Sequence, residues 1–137
     1  MKKYEILEHK ADLKIRVFGR TKEELFSHCL QAMTESMKSE VRKPEEKIER
    51  EIKVKSLDFP ALLVDFLGEA LYLIQVNKEI YNTVKFKKFT DTEIEGELIG
   101  QKVERFGEDI KAVTYHSLDL HKKRKDGIWE ATILFDI

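Results

Sequence analysis

Apolar and polar positions along the chain repeat with two different periods, and the change from one to the other marks out the elements. Residues 3 to 9 read as a first strand. Leu13, Ile15 and Val17, alternating with Lys14, Arg16 and Phe18, predict a second that ends at Gly19. The period then lengthens. Leu25, Phe26, Cys29, Leu30, Met33 and Met37 recur at helical spacing, and Thr21 followed three residues later by Glu24 has the form of a capping box, so an amphipathic helix is expected over roughly residues 21 to 38.

Val41 to Glu46, with Pro44 and several charges, reads as a loop. It leads into a half-buried strand in which Ile48, Ile52 and Val54 alternate with Glu49, Glu51, Lys53 and Lys55. Asp58 suits an N-cap with Pro60 in the first turn, and Leu62, Leu63, Phe66, Leu67, Ala70, Leu71 and Ile74 form the broad apolar face of a second, more deeply buried helix.

From residue 79 the period falls to two: Ile80, Val84 and Phe86, then Ile94 and Leu98, then Leu118 and Leu120, then Trp129, Ala131, Ile133 and Phe135. Asp91 with Thr92, and Asp126 with Gly127, are turn signals that make antiparallel hairpins the natural pairing, while residues 100 to 112 are less regular and read as a loop. The expected architecture is one α+β domain over residues 1–137, with antiparallel sheet of about six to seven strands covered by two amphipathic helices.

Composition narrows the function more than the fold. The 137 residues include 25 Lys and Arg against 26 Asp and Glu, a net charge of -1, which argues against a surface given over to nucleic acid and leaves open a local basic patch. The single cysteine, Cys29, has no internal disulfide partner, and no Cys and His cluster has structural-zinc spacing. The first residues lack the apolar core of a signal peptide, and no window reads as the ~18 apolar residues of a membrane span. A reducing, cytoplasmic setting is the expectation.

Two acids stand out by position. Asp12 precedes the apolar set of the second strand and Asp136 follows that of the last, so each lies at a strand end and opposite the buried side. If the two strands are antiparallel neighbours the carboxylates meet, and the terminal carboxylate of Ile137 joins them. Such an all-oxygen set suits a hard divalent cation: calcium, magnesium or manganese. The plainer reading of a strand-end aspartate is a turn or cap residue satisfied by backbone N–H groups, and spacing alone does not choose.

Other candidates are weaker. His9, His28, His116 and His121 form no i, i+4 pair. His9 is placed to orient Asp12, and His116 shares a strand face with Leu118 and Leu120, where a packed, hydrogen-bonded histidine is the ordinary outcome. Asp65 and Glu69 lie four apart on the second helix, as paired acids or as a solvated edge. His121-Lys122-Lys123-Arg124-Lys125 is the one dense basic run. It reads as an RNA contact or, with no aromatic interleaved to stack bases, as a solvated hairpin tip. Phosphate loops and nucleophile elbows are missing.

Glu8-His9-Lys10-Ala11-Asp12, Leu63-Val64-Asp65-Phe66-Leu67-Gly68-Glu69, Lys111-Ala112-Val113-Thr114-Tyr115-His116 and Phe135-Asp136-Ile137, taken in order, resemble the archease family over the whole chain. The resemblance implies an accessory protein, not an enzyme, that activates the GTP-dependent tRNA-splicing RNA ligase. It implies a divalent metal on Asp12, Asp136 and Ile137, and a role in activation for Lys111. Lys10 departs from the threonine common in the family and sets a cation two residues from Asp12. A chaperone or specificity role toward a tRNA methyltransferase is the alternative, and a free-standing metal-dependent hydrolase using Asp12, Asp136 and His116 is a third.

Overall fold

The computed structural model describes residues 1–9 and 12–137, the side chains of Glu8 and His9 excepted. Its elements follow in the order β1 (Tyr4–His9), β2 (Asp12–Gly19), α1 (Lys22–Ser36), β3 (Glu40–Val41), β4 (Ile48–Lys55), α2 (Phe59–Asn77), β5 (Glu79–Phe89), β6 (Glu93–Arg105), β7 (Ala112–Lys122) and β8 (Trp129–Asp136). Two antiparallel sheets result. The first has the order β1-β2-β8-β7, so residues 12–19 pair along their length with residues 129–136. In the second, β6 is paired by β5, by β4 and by the short β3.

Both helices start as local chemistry dictates. The Thr21 hydroxyl accepts the Glu24 N–H at 3.0 Å, and the Glu24 carboxylate reaches back to the Arg20 N–H at 3.0 Å, closing the capping box one residue earlier than its usual form. Asp58 accepts the Ala61 N–H at 2.8 Å, with Pro60 where its missing donor has no partner to lose. At the other end of α2, Lys78 turns left-handed (φ 53°) and its N–H returns to the Ile74 carbonyl.

The helices pack against both sheets, α1 on β2 and β5, α2 on β7, β4 and β5. Leu13, Ile15, Val17, Ala131, Ile133 and Phe135 enter the core from the first sheet, and Ile52, Ile94 and Leu98 from the second. Phe26 of α1 ties the layers together, its ring centroid 5.5 Å from Phe59, 5.7 Å from Phe66 and 5.0 Å from Phe89. Helix α2 is long and apolar enough, at a mean hydropathy of 1.5, to fit a membrane span, contrary to the sequence reading; its buried face is part of this core.

Three further expectations are corrected. Strand β6 runs on to Arg105 where a loop was expected, because Gly96 and Gly100 interrupt the apolar alternation that would have revealed it. At Gly100 an added Cβ would lie 1.7 Å from the Ile80 carbonyl oxygen, so only glycine allows β5 to approach β6 this closely. Among the described residues there are eight strands against the six to seven expected, the two-residue β3 being too short to show a period. His116 is exposed instead of packed: between Thr114 and Asp119 the register slips, Ser117 adopts φ 59°, and the alternation that would have aligned His116 with Leu118 and Leu120 is broken.

Candidate functional site

Strand pairing decides which of the sequence candidates meet. In the β2–β8 ladder Asp12 is the direct partner of Asp136, and on the other side of β8 Asp136 partners Ala112. The Lys111 N–H donates to the Asp136 carbonyl oxygen at 2.7 Å, which fixes the start of β7 beside the end of β8. Residues opposed in this way point their side chains to the same face, with Cβ atoms about 5 Å apart. Because Leu13 and Phe135, the next pair along, are buried, Asp12 and Asp136 fall on the face turned away from the helices, and both are exposed.

This corner is electrostatically incomplete. Two carboxylates directly opposite each other repel, and among the described residues neither side chain has an ion-pair or hydrogen-bond partner. Ile137 follows at once, half-buried against the core, so its main-chain oxygens lie one residue from the pair. Among the described residues no group of three or more His, Cys, Asp and Glu side chains stands together as metal ligands. Two carboxylates and a main-chain oxygen nonetheless suit a hard cation, which accepts oxygen donors and completes its shell with water. Lys10 and the side chain of His9 lie outside the described residues.

The remaining candidates sit elsewhere. His116 occupies the β7 bulge, its N–H bonded to the Thr114 hydroxyl at 3.0 Å, and the register places it away from the Asp136 end of the strand. Glu69 is exposed on α2, on the helix side of the first sheet. With Lys53, Lys55, Asp65, Gly68, Val113 and Tyr115 it lines an open groove of about 510 Å³ between β4, α2 and β7. Asp65 is not the solvated edge residue that spacing suggested. Its carboxylate accepts the Ser56 hydroxyl at 2.6 Å and the Tyr115 hydroxyl at 2.8 Å, and that bond raises the Tyr115 pKa by favouring the protonated phenol. Sequence spacing gave no sign of Ser56 or Tyr115, since both bonds cross between elements.

The family model described as "Archease protein family (MTH1598/TM1083)" matches residues 4–137. The chain belongs to the archease family. Protein archease of Methanosarcina mazei is 36% identical, with 99% of this chain and 97% of the relative covered. That of Pyrococcus furiosus is 34% identical with both chains covered in full. The same architecture recurs in a solved structure of Methanobacterium thermoautotrophicum protein 1598, with TM-score 0.67 and 26% identity over the whole of both chains. A Thermotoga maritima archease described as a possible chaperone has TM-score 0.69 at 20% identity over 96% of this chain and 94% of its own, a likeness of fold alone.

Proposed function

We propose that this archease is a non-catalytic accessory protein that activates a tRNA-splicing RNA ligase, with Asp12, Asp136 and a main-chain oxygen of Ile137 holding a calcium, magnesium or manganese ion. The single observation that carries this reading is the register pairing of Asp12 with Asp136, two exposed carboxylates set face to face with no ion-pair partner among the described residues. A hard divalent cation, when bound, supplies the positive charge that nucleotidyl transfer needs on its phosphates.

What the chain's own residues contribute is placement. The β2–β8 ladder holds the two carboxylates at a fixed separation, and the Lys111 N–H bond to Asp136 keeps β7 from fraying at the same edge. The Lys111 side chain, exposed beside this edge, is available to a phosphate or to an acidic group of the ligase during its GTP-dependent guanylylation. The test is multiple-turnover RNA ligation with the cognate ligase. Asp12→Ala and Asp136→Ala are expected to abolish stimulation while the domain stays folded, Lys111→Ala to reduce it severalfold, and full stimulation by Asp12→Ala would refute the proposal.

A second reading has its own observation. Tyr72 and Val76 are 57% and 60% exposed on one stripe of α2, a surface suited to a protein client such as a tRNA methyltransferase and independent of any ion. It predicts that Tyr72→Ser with Val76→Ser abolishes an effect on methyltransferase solubility or site choice that a chelator leaves intact.

A further inference from the structure

At the opposite end of the first sheet the chain gathers positive charge. Strand β7 ends at Lys122 and is followed by Lys123, Arg124 and Lys125 in the turn to β8. That turn is built for a tight reversal: the Lys123 N–H donates to the Ile128 carbonyl at 2.8 Å, the Gly127 N–H to the Lys123 carbonyl at 2.9 Å, and Gly127 takes φ 71°. The pairing of Lys122 with Trp129 and of Trp129 with Gly19 puts Arg20, just past the end of β2, at the same end. The Phe18 N–H bond to the Lys3 carbonyl brings Lys2 and Lys3 there from the start of β1.

Some of these cations have structural work. Lys123 lies over the Phe18 ring, 5.1 Å from its centroid, and pairs with Glu130 at 3.4 Å; Lys2 pairs with Glu5. Lys122, Arg124, Lys125 and Arg20 do not. All four are exposed, and among the described residues their side chains have no ion-pair or hydrogen-bond partner. In a chain with 26 acidic side chains to 25 basic ones, three adjacent or near-adjacent unpaired cations on a tight turn repel one another for no gain in fold stability.

We infer that this basic end, formed by Lys122, Arg124 and Lys125 of the hairpin tip with Arg20, is a binding surface for the phosphate backbone of single-stranded RNA. It is distinct from the Asp12 and Asp136 corner, which lies at the other end of the eight-residue β2, roughly 25 Å away. The inference does not rest on the ligase reading, since it concerns contact with RNA by this chain alone.

RNA phosphate fits better than the two other anionic partners. Residues 122–126 contain no apolar side chain, whereas a protein interface centres on buried aromatic or aliphatic anchors, and peripheral membrane binding adds apolar insertion to charge. Phe18 and Trp129 sit under Lys123 and Lys22 and are not free to stack bases, so recognition is electrostatic and insensitive to sequence. The contrary features are Met1, 56% exposed beside Lys2, and Leu57, 96% exposed just before the N-cap of α2, which make anionic vesicles a necessary comparison.

The experiment is fluorescence anisotropy of the purified protein with a labelled single-stranded oligoribonucleotide over a salt series. Micromolar binding at low salt is expected, with affinity falling as salt rises. The triple variant Lys122→Glu, Arg124→Glu, Lys125→Glu should bind at least tenfold more weakly. A neutral Lys122→Gln, Arg124→Gln, Lys125→Gln variant should lower the slope of log K against log salt by about 2, the loss expected for three phosphate contacts on a single strand. Asp12→Ala should leave RNA binding unchanged. No binding by the unaltered protein at low salt, equal binding by the charge-reversed variant, or binding to phosphatidylserine vesicles but not RNA would each overturn the inference. Ligation assays are not involved, so failure here leaves the ligase reading standing and the reverse also holds.

Discussion

Two sets of carboxylates in this protein are treated in opposite ways. Glu79, at the start of β5, is fully buried and matched on every side. Arg50 reaches it bidentately, Nε to Oε1 and Nη2 to Oε2, both at 2.8 Å. The Tyr81 hydroxyl donates to Oε1 at 2.5 Å, and Lys102 Nζ stands 3.5 Å from Oε2. Asp12 and Asp136 share an exposed edge with each other and, among the described residues, have no ion-pair partner. A buried carboxylate left unmatched would cost several kcal/mol, so Glu79 must be satisfied within the fold. An exposed pair is tolerated at about half a kcal/mol of repulsion, so it can be left open for something outside. Completeness of partners, more than the mere presence of acids, separates the structural cluster at Glu79 from the proposed ion site at Asp12 and Asp136.

The contrast breaks most visibly in the second sheet. Gly100→Ala would drive a methyl into the Ile80 carbonyl and part β5 from β6, carrying Glu79 away from Arg50. A loss of about 3 kcal/mol in urea unfolding is expected, at the upper end of overpacking effects. Arg50→Ala leaves the buried Glu79 with Lys102 and Tyr81 alone. Its effect should lie near the low end of the ~3–5 kcal/mol for breaking a buried pair, because the Arg50 side chain is 42% exposed. An unfolding midpoint unchanged in Arg50→Ala would mean that the cluster contributes little.

A smaller effect follows from protonation. The Arg50 hydrogen bonds, assisted by Tyr81 and by the charge of Lys102, hold the Glu79 pKa below the ordinary 4.5 against the opposing influence of burial. A group depressed in the folded state contributes stability that is fully present above its unfolded value and is lost as pH falls through the folded one. Stability should therefore drop below about pH 4.5, and Glu79→Gln should flatten that limb relative to the unaltered protein. A limb of unchanged steepness would assign acid sensitivity to other carboxylates.

The smallest change is expected at the open corner. Asp136→Asn removes the repulsion with Asp12 and should raise stability by about half a kcal/mol in the presence of a chelator. The same variant should lose any rise in melting temperature that millimolar calcium or magnesium gives the unaltered protein. A destabilised Asp136→Asn would show that the carboxylate has a structural partner after all, and would erase the contrast with Glu79.

Much of the fold was legible in residue order because the forces that set it are local. Side-chain alternation marked β2 and β8, Thr21 with Glu24 and Asp58 with Pro60 marked the helix starts, and Asp91-Thr92 and Asp126-Gly127 marked two turns. Elements whose cause is tertiary were missed. Strand β6 is held past residue 100 by pairing with β5 and β3, and the β7 bulge at Ser117 lifts His116 off the face its spacing implied.

The candidate site divides along the same line. Asp12 and Asp136 were recognisable singly as strand-end acids, and their adjacency was a conjecture about strand order that the β2–β8 register realises. Asp65 with Tyr115, and Glu79 with Arg50, could not be foreseen, because a hydrogen bond between distant elements leaves no periodic trace in either. The sequence by itself determined which faces are apolar, where helices begin and where strands turn, since each depends on a few neighbouring residues. Only the tertiary structure decided which charges meet, because that depends on the order of strands in a sheet, which hydrophobic burial drives and no short stretch of chain encodes.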